Sequence, residues 1–207
     1  MTSEKEKMLA GQLYDAGDAE LTAMRLEARR KMKLFNNEDD RDKQREIIKT
    51  LFGSTGEKLT MNPRFVCDYG SNIYVGENFY ANYNLTILDV GKVTLGKNVQ
   101  IAPNVSIYTA GHPVHPDSRN SGYEYGIPVT IGDNVWIGGN SVILPGVTIG
   151  NNVVIGAGSV VSKDIPDNMI AVGNPCRVIR EITDEDRIYY FKKQKFDDEA
   201  WNEINNK

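Results

Sequence analysis

Between Val129 and Asp164 the apolar positions recur every six residues, as VTIGDN, VWIGGN, SVILPG, VTIGNN, VVIGAG and SVVSKD. The third place of each hexad is Ile131, Ile137, Ile143, Ile149, Ile155 or Val161, always apolar and β-branched. A helix turning about 100° per residue would carry such positions off one face, and a flat sheet asks for a period of two. Short β-prone pieces parted by Gly and Asn corners instead predict a parallel β-solenoid with three sides. Each hexad forms one side. Three hexads close a coil, and the inward aliphatics stack roughly 4.8 Å from those of the next coil. Gly and Asn suit the corners because they adopt positive φ at low cost.

The same beat runs upstream through Val75, Ala81 and Ile87, then Leu95, Ile101 and Ile107. The longer step between Ile87 and Leu95 predicts a bulge near Asp89–Lys92. Together the two runs make about twelve hexads, hence about four coils. The repeat breaks once, between Ile107 and Val129, with AGHPVHPDSRNSGYEYGIP inserted. A solenoid ejects insertions at its turns, and a long loop inside a compact repeat is usually functional. The loop, residues 110–128, is therefore expected to stand off a corner.

Residues 1–57 read as a helical cap segment. Ser3 and Glu6 have capping-box spacing. Asp18 can start a second helix with Leu21, Met24, Ala28, Met32 and Phe35 on one face, ending at Asn36-Asn37. A third runs from about Asp39 to Phe52. Such helices would cover an open end of the prism, or wall a pocket. The solenoid is expected over residues 58–182. A helical tail over 183–207 follows, opening on a Thr183/Asp186 capping box, with Phe196 and Trp201 packing it back on the body.

Composition narrows the function classes. A net charge of −4 gives no case for nucleic acid as the main partner. Two cysteines, Cys67 and Cys176, form neither a disulfide framework nor a zinc motif. A charged start with no long apolar run predicts no membrane association and a cytoplasmic home.

Both histidines, His112 and His115, lie in the insertion. A neutral imidazole can accept a proton near neutral pH. Pro113 stiffens the chain after His112, and Glu124 downstream could orient its ring; an idle surface His is the plainer alternative, and the favoured one for His115. Asn82, after the inward Ala81, should face outward; it is a candidate polar contact or simply a corner Asn. Asp68 is a candidate ligand contact or a turn carboxylate. Trp136, a large ring on a solenoid face, suits an interface or a pocket wall. Lys163, Arg177 and Arg180 cluster near the end of the column, where they could hold phosphates or simply be solvated. No phosphate-cradling Walker motif or GxGxxG is present.

The hexads, with CDYGSNIYVGENFYANYN, LDVGKVTLGKNVQIAPNV, the GHPVHP loop and the AGQLYDAGD leader, resemble the maltose and galactoside O-acetyltransferases among the hexapeptide-repeat acyltransferases. The resemblance covers about residues 4–190. It implies a left-handed parallel β-helix, a homotrimer with active sites between subunits, and acetyl-CoA as co-substrate without a metal. It makes His112 the base, Asn82 an acceptor and transition-state contact, and Glu124 a third catalytic position. Asp68, Trp136 and Asp15 (or Asp18) fall at acceptor positions, and Gly139, Ala157, Ser162, Lys163, Arg177 and Arg180 at acetyl-CoA positions. Val90 departs from the pattern of some galactoside enzymes, where an acid follows the equivalent of Asp89. The acceptor implied is a sugar hydroxyl. A drug or other non-sugar hydroxyl and a non-catalytic trimeric scaffold are the alternatives. Serine acetyltransferases carry a longer helical N-terminal domain, and a zinc-dependent carbonic anhydrase on this fold needs three histidines.

Overall fold

The computed structural model describes residues 2–205. Its body is a three-sided parallel β-solenoid, capped at one end by helices. The first face stacks Ile73–Val75, Val93–Leu95, Val129–Ile131 and Thr148–Ile149. The second stacks Leu59–Met61, Phe79–Ala81, Gln100–Ile101, Trp136–Ile137, Val154–Ile155 and Met169–Val172, all parallel, before Arg177–Glu181 adds antiparallel. The third stacks Val66–Cys67, Thr86–Leu88, Ser106–Tyr108, Val142–Ile143 and Val160–Val161.

Register locks the inward positions. Val75, Leu95, Ile131 and Ile149 pair in sequence up the first face. Met61, Ala81, Ile101, Ile137, Ile155 and Ala171 do so on the second, and Cys67, Ile87, Ile107, Ile143 and Val161 on the third. All of them are buried. The column thus runs to about six coils, not the four counted from the hexads. The additional coils lie at the two ends. There Met61, Cys67 and Ala171 stand where the middle coils carry mostly β-branched residues, because their neighbours are cap or exit segments.

The corners explain the asparagines. Asn78, Asn98, Asn134, Asn152 and Asn168 all have positive φ, between 56° and 63°. Their side chains form one amide ladder, each Nδ2 donating to the next Oδ1 at 2.8–3.0 Å. Asn84 and Asn104 start a second ladder on another edge.

At the cap end, helix α1 (Glu4–Leu9) has the Ser3/Glu6 capping box. Helix α2 (Ala19–Asn37) is capped by Asp18, whose carboxylate accepts from Leu21 N–H. Helix α3 (Arg41–Leu51) is capped by Asp40. Buried Met32, Phe35, Ile48 and Leu51 continue the core of the column. Phe65 meets Phe35 and Phe52 edge-on, at centroid distances of 6.5 and 5.5 Å. Asn36 holds Phe65 at both its N–H and its carbonyl. Between α1 and α2 the leader is extended: Tyr14–Asp15 pairs antiparallel with Tyr123–Gly126 of the insertion, which pairs in turn with Ala110–Gly111. The insertion also holds the single turn α4 (Pro116–Arg119).

The tail differs from the helical expectation. After α5 (Glu185–Ile188) a hairpin pairs Tyr189–Phe191 with Gln194–Lys195, and α6 (Asp198–Asn205) follows. Its aromatics pack on one another, Tyr190 on Phe196 and Phe196 on Trp201, and none sinks into the column. Asp186 accepts from Thr183 N–H, but the cap residue of α5 is Asp184.

The corner geometry has a direct test. A Cβ in the left-handed region costs about 1–2 kcal/mol, which Gly escapes. Asn134→Ala is expected to lower the unfolding free energy by about that amount, and Asn134→Gly by less. Urea unfolding of the three proteins measures it; equal losses would assign the effect to the ladder rather than to φ.

Candidate active site

The candidate residues fall into two groups on different edges of the prism. The first group lies where the third face turns into the first, the edge from which the insertion springs. A cup of about 300 Å³ opens there, lined by Tyr14, Arg25, Arg29, Asp68, Val90 and Glu124 among others. Each part has a different origin. Tyr14 comes from the leader strand and Glu124 from the insertion, and their direct pairing places the Tyr14 hydroxyl on Glu124 Oε2 at 2.9 Å. Arg25 projects from α2, donating to the Tyr69 hydroxyl at 2.7 Å and to Ala16 O at 2.6 Å.

Asp68 sits in a turn fixed from behind by Asp89. The Asp89 carboxylate is fully buried and accepts N–H bonds from Asp68 (3.0 Å), Tyr69 (2.9 Å) and Asn72 (3.3 Å). It comes from the corner that the long step after Ile87 creates. Burial pushes its pKa up to about 6, while the N–H donors pull the other way. Asp68 is also shifted upward, by burial first and then by the nearby Glu124 charge, against Arg25 and Arg29. Burial and the bond to Glu124 drive the Tyr14 phenol well above its usual range, so it stays a donor. Val90 is buried in an apolar cluster with Met8, Tyr14, Leu21 and Tyr69, and supplies an apolar stretch of the cup wall.

His112 follows Ala110–Gly111 at the exit of that small sheet and is exposed. The register of Gly111 with Tyr125 continues toward His112 opposite Glu124. Glu124 nevertheless bonds Tyr14, and among the described residues no hydrogen bond reaches the His112 ring. His115 caps α4 by accepting from Asp117 N–H. Asp15 is turned away from the cup, its carboxylate accepting from Gly17 N–H, and Asp18 serves α2. The leader contributes Tyr14 and Ala16 to the cup, not an acid. Sequence reading passed over Tyr14, Arg25 and Tyr69; Tyr14 and Tyr69 lie within YDAGD and CDYG, and Arg25 carried no local signal.

The second group lies where the second face turns into the third. Asn82, Ala102, Gly138 and Gly156 climb this edge, each N–H bonding the carbonyl of the coil beyond. Gly139 and Ala157 lie one residue further along the same edge. Asn82 Oδ1 accepts from Tyr83 N–H at 2.8 Å, which leaves its NH₂ as the outward donor. The Gly139 N–H has no acceptor among the described residues. A Cβ on Gly138 would come within 2.5 Å of Ala157 N, so Gly lets the coils close here. Trp136 stands on the adjoining second face, 54% exposed, between Gln100 and Val154.

The cations near the end of the column divide too. Ser162 and Lys163 lie exposed on the first group's edge. Arg177 and Arg180 lie on the antiparallel exit strand. Arg180 is gripped by Asp186 through two bonds of 2.6 Å, and that pairing pulls Asp186 down to about 2. Among the described residues no group of three His, Cys, Asp or Glu is placed to hold a metal, and no helix is long and apolar enough to cross a membrane.

Comparison with known proteins agrees with this architecture. Residues 7–56 match the maltose acetyltransferase hexapeptide capping motif, and residues 128–163 match the bacterial transferase hexapeptide model as six repeats. The galactoside O-acetyltransferase of Escherichia coli K12 is 50% identical, over 92% of this chain and 95% of its own. A crystal structure of a maltose O-acetyltransferase from Clostridium difficile 630 is 57% identical and superposes with a TM-score of 0.87, over 88% of this chain and 98% of that one. A galactoside acetyltransferase in complex with coenzyme A gives a TM-score of 0.91 at 49% identity, over 95% and 100%. The fold is that of a hexapeptide-repeat, left-handed β-helix acyltransferase. The chain belongs to the maltose/galactoside acetyltransferase family.

The buried Asp89 makes a pH prediction. Its folded pKa, about 6, exceeds the unfolded value near 3.9. The native state therefore holds this proton more tightly, and the contribution to stability falls as pH rises between about 4 and 6. Asp89→Asn cannot titrate, so the stability gap between variant and wild type should shift in its favour by about 1–3 kcal/mol from pH 4 to pH 7. Chemical unfolding across that range measures it; a gap independent of pH would place the native Asp89 pKa at its ordinary value.

Proposed function

We propose that this protein is an acetyl-CoA-dependent O-acetyltransferase acting on a sugar hydroxyl, with His112 as base and with each active site shared between two copies in a cytoplasmic homotrimer. The observation that carries this reading is the division of the functional groups between two edges. Cup, His112 and Lys163 lie on one; Asn82, Gly139 and Ala157 lie on the other. A neighbouring prism set edge to edge would bring one copy's His112 and Asp68 to the other's Asn82 and Gly139. The coenzyme A complex of the galactoside acetyltransferase supports the donor, and the kinship to maltose and galactoside O-acetyltransferases supports the acceptor class.

The chemistry then needs one proton acceptor and donors for a developing oxyanion. The His112 imidazole accepts the proton of the acceptor hydroxyl as its oxygen attacks the thioester carbon. The carbonyl oxygen gathers negative charge in the tetrahedral intermediate. The unused Gly139 N–H and the outward NH₂ of Asn82 are donors suited to it. Collapse breaks the C–S bond, and the imidazolium returns its proton to the departing thiolate. No acetyl-enzyme is required, because the two substrates meet directly. Asp68 and the Tyr14-held Glu124 offer acceptors to the sugar's other hydroxyls, Trp136 an aromatic wall, and Ser162, Lys163, Arg177 and Arg180 polar and cationic partners for the coenzyme. A non-sugar hydroxyl acceptor is the second reading, favoured by the apolar Val90 in the cup wall.

His112→Ala is expected to lower turnover by about 10²–10⁴-fold, with the trimer intact by light scattering. Thiol release from acetyl-CoA with maltose, glucose, a galactoside and a drug hydroxyl measures turnover and separates the acceptor classes. Mixing His112→Ala with Asn82→Ala chains tests the shared site. If His112 and Asn82 act from different copies, unfolding and reassembly together should restore a fraction of activity that neither variant shows alone. No recovery in mixed trimers would put both groups in one copy's site.

A further inference from the structure

A second cavity, of about 600 Å³, lies between α3 and the outer surface of the second face in the first coils. Its walls include Arg41 and Arg45 from the helix, Thr60, Tyr80 and Tyr83 from the column, and Asn82 at one side. Asn82 is thus common to this cavity and to the proposed reaction centre. The rest of the lining has no role in the acetyl-transfer step.

Hydrogen-bond donors dominate these walls, and no carboxylate is among the lining residues. Arg41 uses one nitrogen, Nη1, on Met61 O and Gln44 Oε1, leaving Nε and Nη2 for a ligand. Arg45 spends Nε on Leu59 O and Nη1 on Asp42, leaving Nη2. Asn62, buried to 8% exposure, reaches the Tyr80 hydroxyl at 3.4 Å and Asn82 Oδ1 at 3.5 Å, tying the cavity wall to Asn82. Tyr80 and Tyr83 present partly exposed rings, 36% and 49%. Flat aromatic surface beside fixed donors suits a ligand with apolar C–H faces rimmed by acceptor oxygens, which is the surface of a pyranose ring. The volume exceeds the need of one ring.

We infer that this cavity is a subsite for a glycosyl residue beyond the ring that is acetylated, so that the enzyme prefers a disaccharide or longer saccharide to a monosaccharide. The inference rests on the sugar-hydroxyl reading above. The reacting hydroxyl lies at Asn82, and the next ring extends under α3 onto Tyr80 and toward the two guanidinium groups.

The test compares kcat/KM for glucose with maltose and for galactose with lactose, in wild type, Thr60→Tyr and Arg45→Gln. Thr60 faces outward and makes no side-chain hydrogen bond among the described residues, so a tyrosine there fills the cavity without removing a contact. Wild type is expected to favour the disaccharide at least tenfold in one pair. Thr60→Tyr should erase that preference while leaving the monosaccharide rate unchanged, and Arg45→Gln should reduce it. Equal rates for mono- and disaccharide in wild type, or a preference that survives Thr60→Tyr, or equal losses on both acceptors, would overturn the subsite while leaving the sugar reading in place. Transfer to none of the four saccharides would overturn both.

Discussion

The structure depends on one constraint: every coil must set its inward side chains directly over those of the coil beneath. Parallel pairing in strict register makes the three stacks of aliphatic residues continuous. A slip of one residue would turn a whole face inside out. The cost of that order falls on the corners. Sharp bends ask for conformations that most residues avoid, and left-handed asparagines carry most of them on two of the three edges, while the edge that bears the insertion uses Gly70 and Gly146 or longer turns. Asparagine has an advantage over glycine here. Its amide also bonds the next corner, so the residue that permits the bend helps to hold the register.

A column built this way has no interior to spare for a site. Its core is closed by β-branched side chains, and its faces are short strands without depth. The candidate functional groups therefore gather at the edges and on the segments added to them, with Trp136 the exception on a face. The cup shows how such an addition becomes rigid. The leader strand and the insertion are far apart in sequence and marginal alone. Each supplies the other's hydrogen-bonding edge, Tyr14 against Glu124 and Asp15 against Tyr123. The pairing removes two exposed strand edges and fixes a tyrosine donor on a carboxylate in one step.

Much of this was legible in the sequence, for a physical reason. Third-place residues such as Ile131 and Ile155 face one environment, so they show one chemistry and one period. The long step after Ile87 became the corner that buries Asp89, and Asp18 capped α2 as its spacing implied. The end coils were missed because Met61, Cys67 and Ala171 pack against helices or the exit strand as well as the next coil, which releases them from the repeat. The cup was legible only in part. Asp68 and Glu124 stood out as acids in the right segments, but pairing Tyr14 with Glu124 is a long-range contact that no local pattern encodes. The same gap made Asp15 the expected leader contact. One residue's difference in a strand reverses the face, and Tyr14 points where Asp15 was placed.

Asp89 joins the two levels of this architecture. It is a fully buried carboxylate in a largely hydrocarbon surround, a costly placement unless its oxygens are satisfied. They are satisfied by the N–H groups of Asp68, Tyr69 and Asn72, which belong to the turn beneath the cup. Removing the carboxylate would leave those three amides without acceptors as well as open a void. The turn therefore cannot relax without exposing the cost of a buried, unpaired charge, and the cup inherits the stiffness of the column. Rigidity in this protein is thus carried from the repeat to the irregular segments by one polar group, placed at a corner where the repeat lengthens.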